Sequence, residues 1–172
     1  MKRLMKVLLV ILLAATGVTL ASPAEAAPYC GIRWGSLPEY SAATSVGSIT
    51  GVRAGRHTCY DRLVIDVAGK IDGYEVQYYP KRTTSNTEFA HLQINVDAAM
   101  IDSAGNFTFG TDNNFVLTGF STYRTFRAVS GGGLTKNSII SLDVRARLPF
   151  RVLMLDGPGS GSRLVVDVAH RW

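Results

Sequence analysis

Two seven-residue stretches of this chain are almost the same. One runs Arg-Leu-Val-Ile-Asp-Val-Ala over 62–68 and the other Arg-Leu-Val-Val-Asp-Val-Ala over 163–169, differing only at Ile65 against Val166. Leu63, Ile65 and Val67 in the first copy, and Leu164, Val166 and Val168 in the second, sit at alternate positions. That period of two is the signature of a strand with one buried face, whereas a helix would space its apolar residues by three and four. The opposite face carries Arg, Val, Asp and Ala in the same order in both copies. Within one copy Arg and Asp are four residues apart, about 13 Å along an extended strand, so they cannot pair with each other. Laid antiparallel, the copies would set Arg62 opposite Asp167 and Asp66 opposite Arg163. The preferred expectation is the alternative, two framing strands in different sheets with other partners. A separation above about 6 Å for both cross pairs would exclude the ion pairs.

The rest of the chain reads the same way. Short runs rich in Val, Ile, Thr, Tyr and Phe cover 74–79, 91–96, 123–129, 138–147 and 150–155. Shorter candidates lie at 106–109 and 114–119, around a turn at Asp112-Asn113. Gly69 to Gly73, Thr83 to Thr87, Gly131-Gly132-Gly133 and Gly157 to Ser162 read as turns and loops. Ala98 to Ser103 fits neither template and is expected to be a short helical or irregular connection. Ile140, Leu142 and Val144 share one face of their strand, with Ile139, Ser141 and Asp143 on the other. The expected class is all-β, a β-sandwich or open barrel of about eight or more short, mainly antiparallel strands with little helix.

The first residues read as a secretion signal. Lys2, Arg3 and Lys6 precede an apolar run from Val7 to Leu20, and Ala24-Glu25-Ala26 offers a small-x-small cleavage site. The run is short for a membrane span of ~20 apolar residues. Cleavage after Ala26 would leave a single β domain over 27–172, outside the cytoplasm and not membrane-spanning. It would also lower the formal charge from +5 to +3. That charge selects no partner, and arginines scattered along the sequence do not make the concentrated patch that nucleic acid requires. Cys30 and Cys59 read as a disulfide in an oxidising compartment, the alternative being two buried thiols. A bridge closing this loop would contribute roughly 3–4 kcal/mol on the chain-entropy account. The two cysteines and three histidines show no metal-ligand spacing, so no metal or other cofactor is expected.

The sequence carries no recognisable catalytic signature. There is no Gly-x-Ser-x-Gly and no His-Glu-x-x-His, and His57, His91 and His170 lie far apart in sequence. His57 near Asp61 is the best enzymatic suspicion, set against the plainer reading of a polar loop histidine beside the disulfide. No catalytic residue is assigned and no enzyme is expected.

One family resemblance covers nearly all of the chain beyond the signal. It rests on Cys30 to Ser36, on Val52 to Arg62, on Gly73-Tyr74 leading into Val76-Gln77-Tyr78, on Arg145 to Val152 and on the terminal Arg163 to Trp172. In order and spacing these resemble the AMIN-like domain of secreted proteins from high-GC bacteria. The resemblance implies a β-sandwich of roughly symmetric halves in the cell envelope. It also implies a targeting or binding module whose ligand is peptidoglycan or an associated wall polymer, with no catalytic residues to carry over. A domain that docks an envelope protein through an exposed strand edge is the alternative. Exposed aromatics and arginines would carry the binding, and the candidates are Arg33, Trp34, Tyr60, Tyr78, Tyr123, Arg124 and Arg127. Tyr78 and Tyr79 must point to opposite faces, so one of the two is exposed.

Overall fold

The computed structural model describes residues 28–42, 46–71, 73–80, 89–102, 104–109, 114–130 and 137–172. The export signal, the loop at 83–87, the Asp112-Asn113 turn and the glycine break at 131–133 lie outside the described residues. Ten strands form two sheets, with no helix among the described residues. The first sheet has the order β1 (Glu39–Ala42), β4 (Gly73–Tyr79), β5 (Ala90–Val96), β8 (Ser138–Val144), β7 (Tyr123–Ser130) and β6 (Asn114–Val116). The second has the order β2 (Val46–Arg56), β3 (Tyr60–Lys70), β10 (Ser162–Ala169) and β9 (Phe150–Asp156). Every pair of neighbouring strands is antiparallel. The fold is therefore a sandwich.

The core lies between the sheets and is built from the alternate residues the sequence marks. Leu63, Ile65, Leu164, Val166 and Val168 from one sheet meet Val76, Leu92, Ile94, Ile140, Leu142 and Val144 from the other, all buried. Each such side chain contributes about 1.5–3 kcal/mol through burial, which is what holds two sheets face to face.

The repeated strands correct the expectation that they lie apart. They are β3 and β10, neighbours at the centre of one sheet, with Val64 opposite Val165, Arg62 opposite Asp167 and Asp66 opposite Arg163. Arg62 grips Asp167 with two hydrogen bonds of 2.7 and 2.9 Å, and Arg151 of β9 adds a third of 2.9 Å. At the other end Asp66 accepts two from Arg53 of β2, at 2.9 and 3.1 Å, and Arg163 lies 3.6 Å away. The near-identity of the two strands is thus a local twofold arrangement with each Asp flanked by two arginines.

Strands β1 and β2 were not anticipated. In β2 a bulge at Thr50 shifts the register between Ile49 and Gly51, so the inward residues Ile49 and Val52 are three apart rather than two. Gly47 is required there, because a Cβ would fall 2.2 Å from the Ala68 carbonyl oxygen. The strand expected at 106–109 reduces to a single bridge between Phe107 and Ile101, and the stretch after Ala98 is irregular rather than helical. The strand expected over 138–147 ends at Val144, where Arg145 N–H turns to the Thr122 carbonyl.

Cys30 and Cys59 form the expected disulfide, with their Cα atoms 6.4 Å apart. It ties the segment before β1 to the start of β3, and Gly35 then pairs with Phe150 along the β9 edge.

The two aspartates of the repeat sit in different surroundings. The Asp167 side chain has no exposed surface, while that of Asp66 is 28% exposed. Asp167→Ala strands two half-buried arginines and should cost about 3 kcal/mol in urea denaturation. Asp66→Ala breaks a solvent-screened pair and should cost less than about 1 kcal/mol. Equal losses would remove burial as the cause.

Candidate functional site

The outward face of the six-stranded sheet is covered with hydrogen-bonding side chains. Residues that do not reach the core align in three rungs across the strands. The first holds Tyr40, Glu75, Asn95, Ile139 and Val129. The second holds Gln77, Gln93, Ser141 and Arg127, and the third Tyr79, His91, Asp143 and Thr125.

These side chains form two networks. Glu75 accepts from Gln77 and from Asn95, both at 2.8 Å, and Gln93 donates to Asn95 at 2.9 Å. Gln77 Nε2 also meets the Tyr79 hydroxyl at 3.0 Å. In the second network Asp143 receives the Thr125 hydroxyl at 2.8 Å and lies 3.1 Å from His91 Nδ1. The hydrogen bond with His91 holds the Asp143 carboxyl below the ordinary value of 3.8; partial burial opposes this and the Thr125 hydroxyl assists it.

Two hollows lie over these rungs. One of about 590 Å³ is lined by Tyr40, Tyr74, Glu75, Gln93, Asn95 and Asp97 among others. The other, of about 690 Å³, is lined by residues including Tyr79, His91, Gln93, Thr125, Arg127 and Asp143. Gln93 and Ile139 line both, so the hollows join into a trough across the sheet. Both volumes lie in the range that ligand sites occupy. Planar amides and carboxylates with exposed tyrosine rings can meet the hydroxyls of a sugar and its apolar ring face at the same time. Among the described residues no group of His, Cys, Asp or Glu could hold a metal.

The structure brings one of the sequence candidates, Arg127, into this trough. Tyr79 is exposed on its face while Tyr78 turns inward, its hydroxyl donating to the Leu148 carbonyl at 2.8 Å. Burial pushes the Tyr78 phenol up to about 12. Tyr123 is wholly buried, and Arg124 donates to the Tyr123 and Phe120 carbonyls. Trp34 and Tyr60 lie together on the other sheet, ring centres 5.8 Å apart, with Arg151 over both. Arg33 is exposed in the segment beside them. His57 stacks on Tyr60 at 4.5 Å, while Asp61 points inward to His170. The amides and carboxylates of the trough were missed. Their signal was the polar half of strands already recognised, His-x-Gln-x-Asn over 91–95 and Glu-x-Gln-x-Tyr over 75–79.

The AMIN-like domain model matches residues 47–170, most of the chain. The chain belongs to the AMIN-like domain family. No curated protein and no solved structure matches it. AMIN-like domains are in general envelope modules without catalytic function, and the family and the disulfide together point to an extracytoplasmic place. No helix among the described residues is long and apolar enough to cross a membrane.

Because the Asp143 carboxyl is held low in the fold, its ionised form contributes stability above the unfolded value, and that contribution is lost as pH falls through the folded value. Asp143→Asn should cost less than about 1 kcal/mol at pH 7, since the pair is solvent-screened. The deficit should close as pH falls through the lowered folded value. Urea midpoints of both proteins from pH 7 to pH 2.5 test this, and a gap independent of pH would contradict it.

Proposed function

We propose that this protein is a non-catalytic module of the cell envelope that binds peptidoglycan or an associated wall polymer, with the trough over Gln93 as the surface that takes the glycan. The observation that carries the reading is the continuous outward row of amides and carboxylates, with half-formed donor and acceptor sets between two exposed tyrosines. An oligosaccharide is rich in paired hydroxyls, and each polar group left unmatched on burial costs about 1–3 kcal/mol. A surface already ordered by its own hydrogen bonds loses little entropy on binding one. Residues 1–26, acting as an export signal and then removed, would deliver the domain to that polymer.

Strand-edge docking is the weaker reading. Along β9 the edge is occupied by Gly35 at Phe150, and the Glu39 carboxylate accepts the Val152 N–H at 3.2 Å. Along β2 the Ala99 backbone bonds Ile49 and Gly47.

The test is sedimentation of the purified disulfide-bonded protein with insoluble peptidoglycan sacculi stripped of their anionic polymers, across a salt series. Saturable binding that survives moderate salt is expected. The double variant Gln93→Ala and Asn95→Ala should bind about tenfold more weakly while still unfolding in one cooperative urea transition, at a somewhat lower midpoint because two hydrogen bonds are lost. Binding that salt abolishes, or that the double variant leaves untouched, would remove the trough from the account.

A further inference from the structure

We propose that the outward face of the four-stranded sheet is a second binding surface, built for a phosphodiester polymer of the wall. It shares the envelope setting with the reading above but uses none of the trough's residues.

The face gathers arginines that are far apart in the sequence. Arg62, Arg151, Arg53 and Arg163 flank two carboxylates, Asp167 and Asp66. Each end of the face therefore keeps one positive charge in excess. The two ends are four residues apart along β3 and along β10, about 13 Å. Between them Val64 and Val165 are buried, outside the cluster that fills the space between the sheets.

Donors remain available. Arg151 meets Asp167 through Nε alone, leaving the rest of its fork. Arg163 is held by Asp66 through charge alone, since 3.6 Å is too far for a hydrogen bond, and a third of its side chain is exposed although its Nε is buried. A hollow of about 310 Å³ opens over Arg53, Gly55, Arg62 and Arg163, and a Cβ built at Gly55 would meet nothing within 4 Å. A second, of about 570 Å³, opens beside Arg53, Asp66 and Arg163.

A phosphodiester suits this arrangement. It holds one negative charge at every envelope pH and offers the paired oxygens that a guanidinium fork matches. A chain long enough to reach both ends gains from the second contact as an intramolecular event. A nucleic acid strand carries the same backbone charge but binds through base stacking as well. That platform is closed here, since Arg151 lies over Trp34 and Tyr60 at 5.3 and 5.4 Å, and Arg62 lies over Tyr60 at 5.2 Å.

The experiment titrates the purified protein with soluble poly(glycerol phosphate) at several salt concentrations, in the absence of peptidoglycan. Saturable binding is expected. The double variant Arg53→Gln and Arg163→Gln should weaken it at least about tenfold and lower the slope of log affinity against log salt by about two. The double variant Arg56→Gln and Arg145→Gln removes the same charge at residues outside the face, one opposite the inward Asp61 and the other just past β8 of the other sheet, and should leave the affinity within about twofold. Asp66→Asn removes a negative charge from the face and should tighten binding, which a merely structural role for these residues would not do. The proposal is overturned if the polymer does not saturate, if both double variants lose equally, or if Asp66→Asn weakens binding. It is also overturned if polyglutamate or single-stranded DNA binds as tightly with the same arginine dependence.

Discussion

The sandwich hangs on a pair of groups that cross between its sheets, Asp61 and Tyr123. Asp61 is the first inward residue of β3 and is fully buried. Its carboxylate accepts the backbone N–H groups of Thr122 and Tyr123 at 2.5 and 3.3 Å, and its other oxygen lies 3.2 Å from His170 Nε2. Tyr123 answers from β7. Its hydroxyl lies 2.8 Å from the Asp61 carbonyl and 2.9 Å from the Val166 carbonyl, sharing one proton between them. Burial, and after it the charges of Asp167 and Asp61, pushes that phenol well above its ordinary value. Apolar contacts hold two sheets together without fixing how they slide. This polar exchange fixes their register, because any slip would leave a buried carboxylate unsatisfied.

With the inner faces locked, the outer faces are free to differ. The six-stranded sheet presents amides, carboxylates and tyrosines in matched rungs. The four-stranded sheet presents guanidinium groups paired with too few carboxylates. Both patterns follow from strand register, since each rung takes one residue from each strand and no two of these are near in sequence.

The inward pattern was legible in the sequence because alternation reports it directly, as at Leu63, Ile65 and Val67 or Ile140, Leu142 and Val144. The bulge at Thr50 hid β2 by changing that spacing to three. The register of β3 on β10 was readable as a charge match, but charge alone does not say which sheet a strand joins. The trough was hidden for a similar reason. Glu75, Gln93 and Asp143 are ordinary polar positions until β4, β5 and β8 are known to be neighbours. Aromatic residues drew attention instead, although Tyr123 and Tyr78 use their hydroxyls inside the fold. The arginines looked scattered because 53, 62, 151 and 163 meet only in the assembled sheet.

The place of β10 in its sheet has a consequence for how the chain is made. The tenth strand lies in the interior, between β3 and β9, and its residues pair with partners about a hundred positions earlier. Until it arrives, β3 has an open edge where its central partner belongs, and Asp167 is not there to receive Arg62. Contacts so distant along the chain carry a large loop-closure cost and form late. Folding of the sandwich therefore waits for β10. A chain crossing a membrane from its N-terminus would stay threadable until β10 emerged, and would then close around that strand.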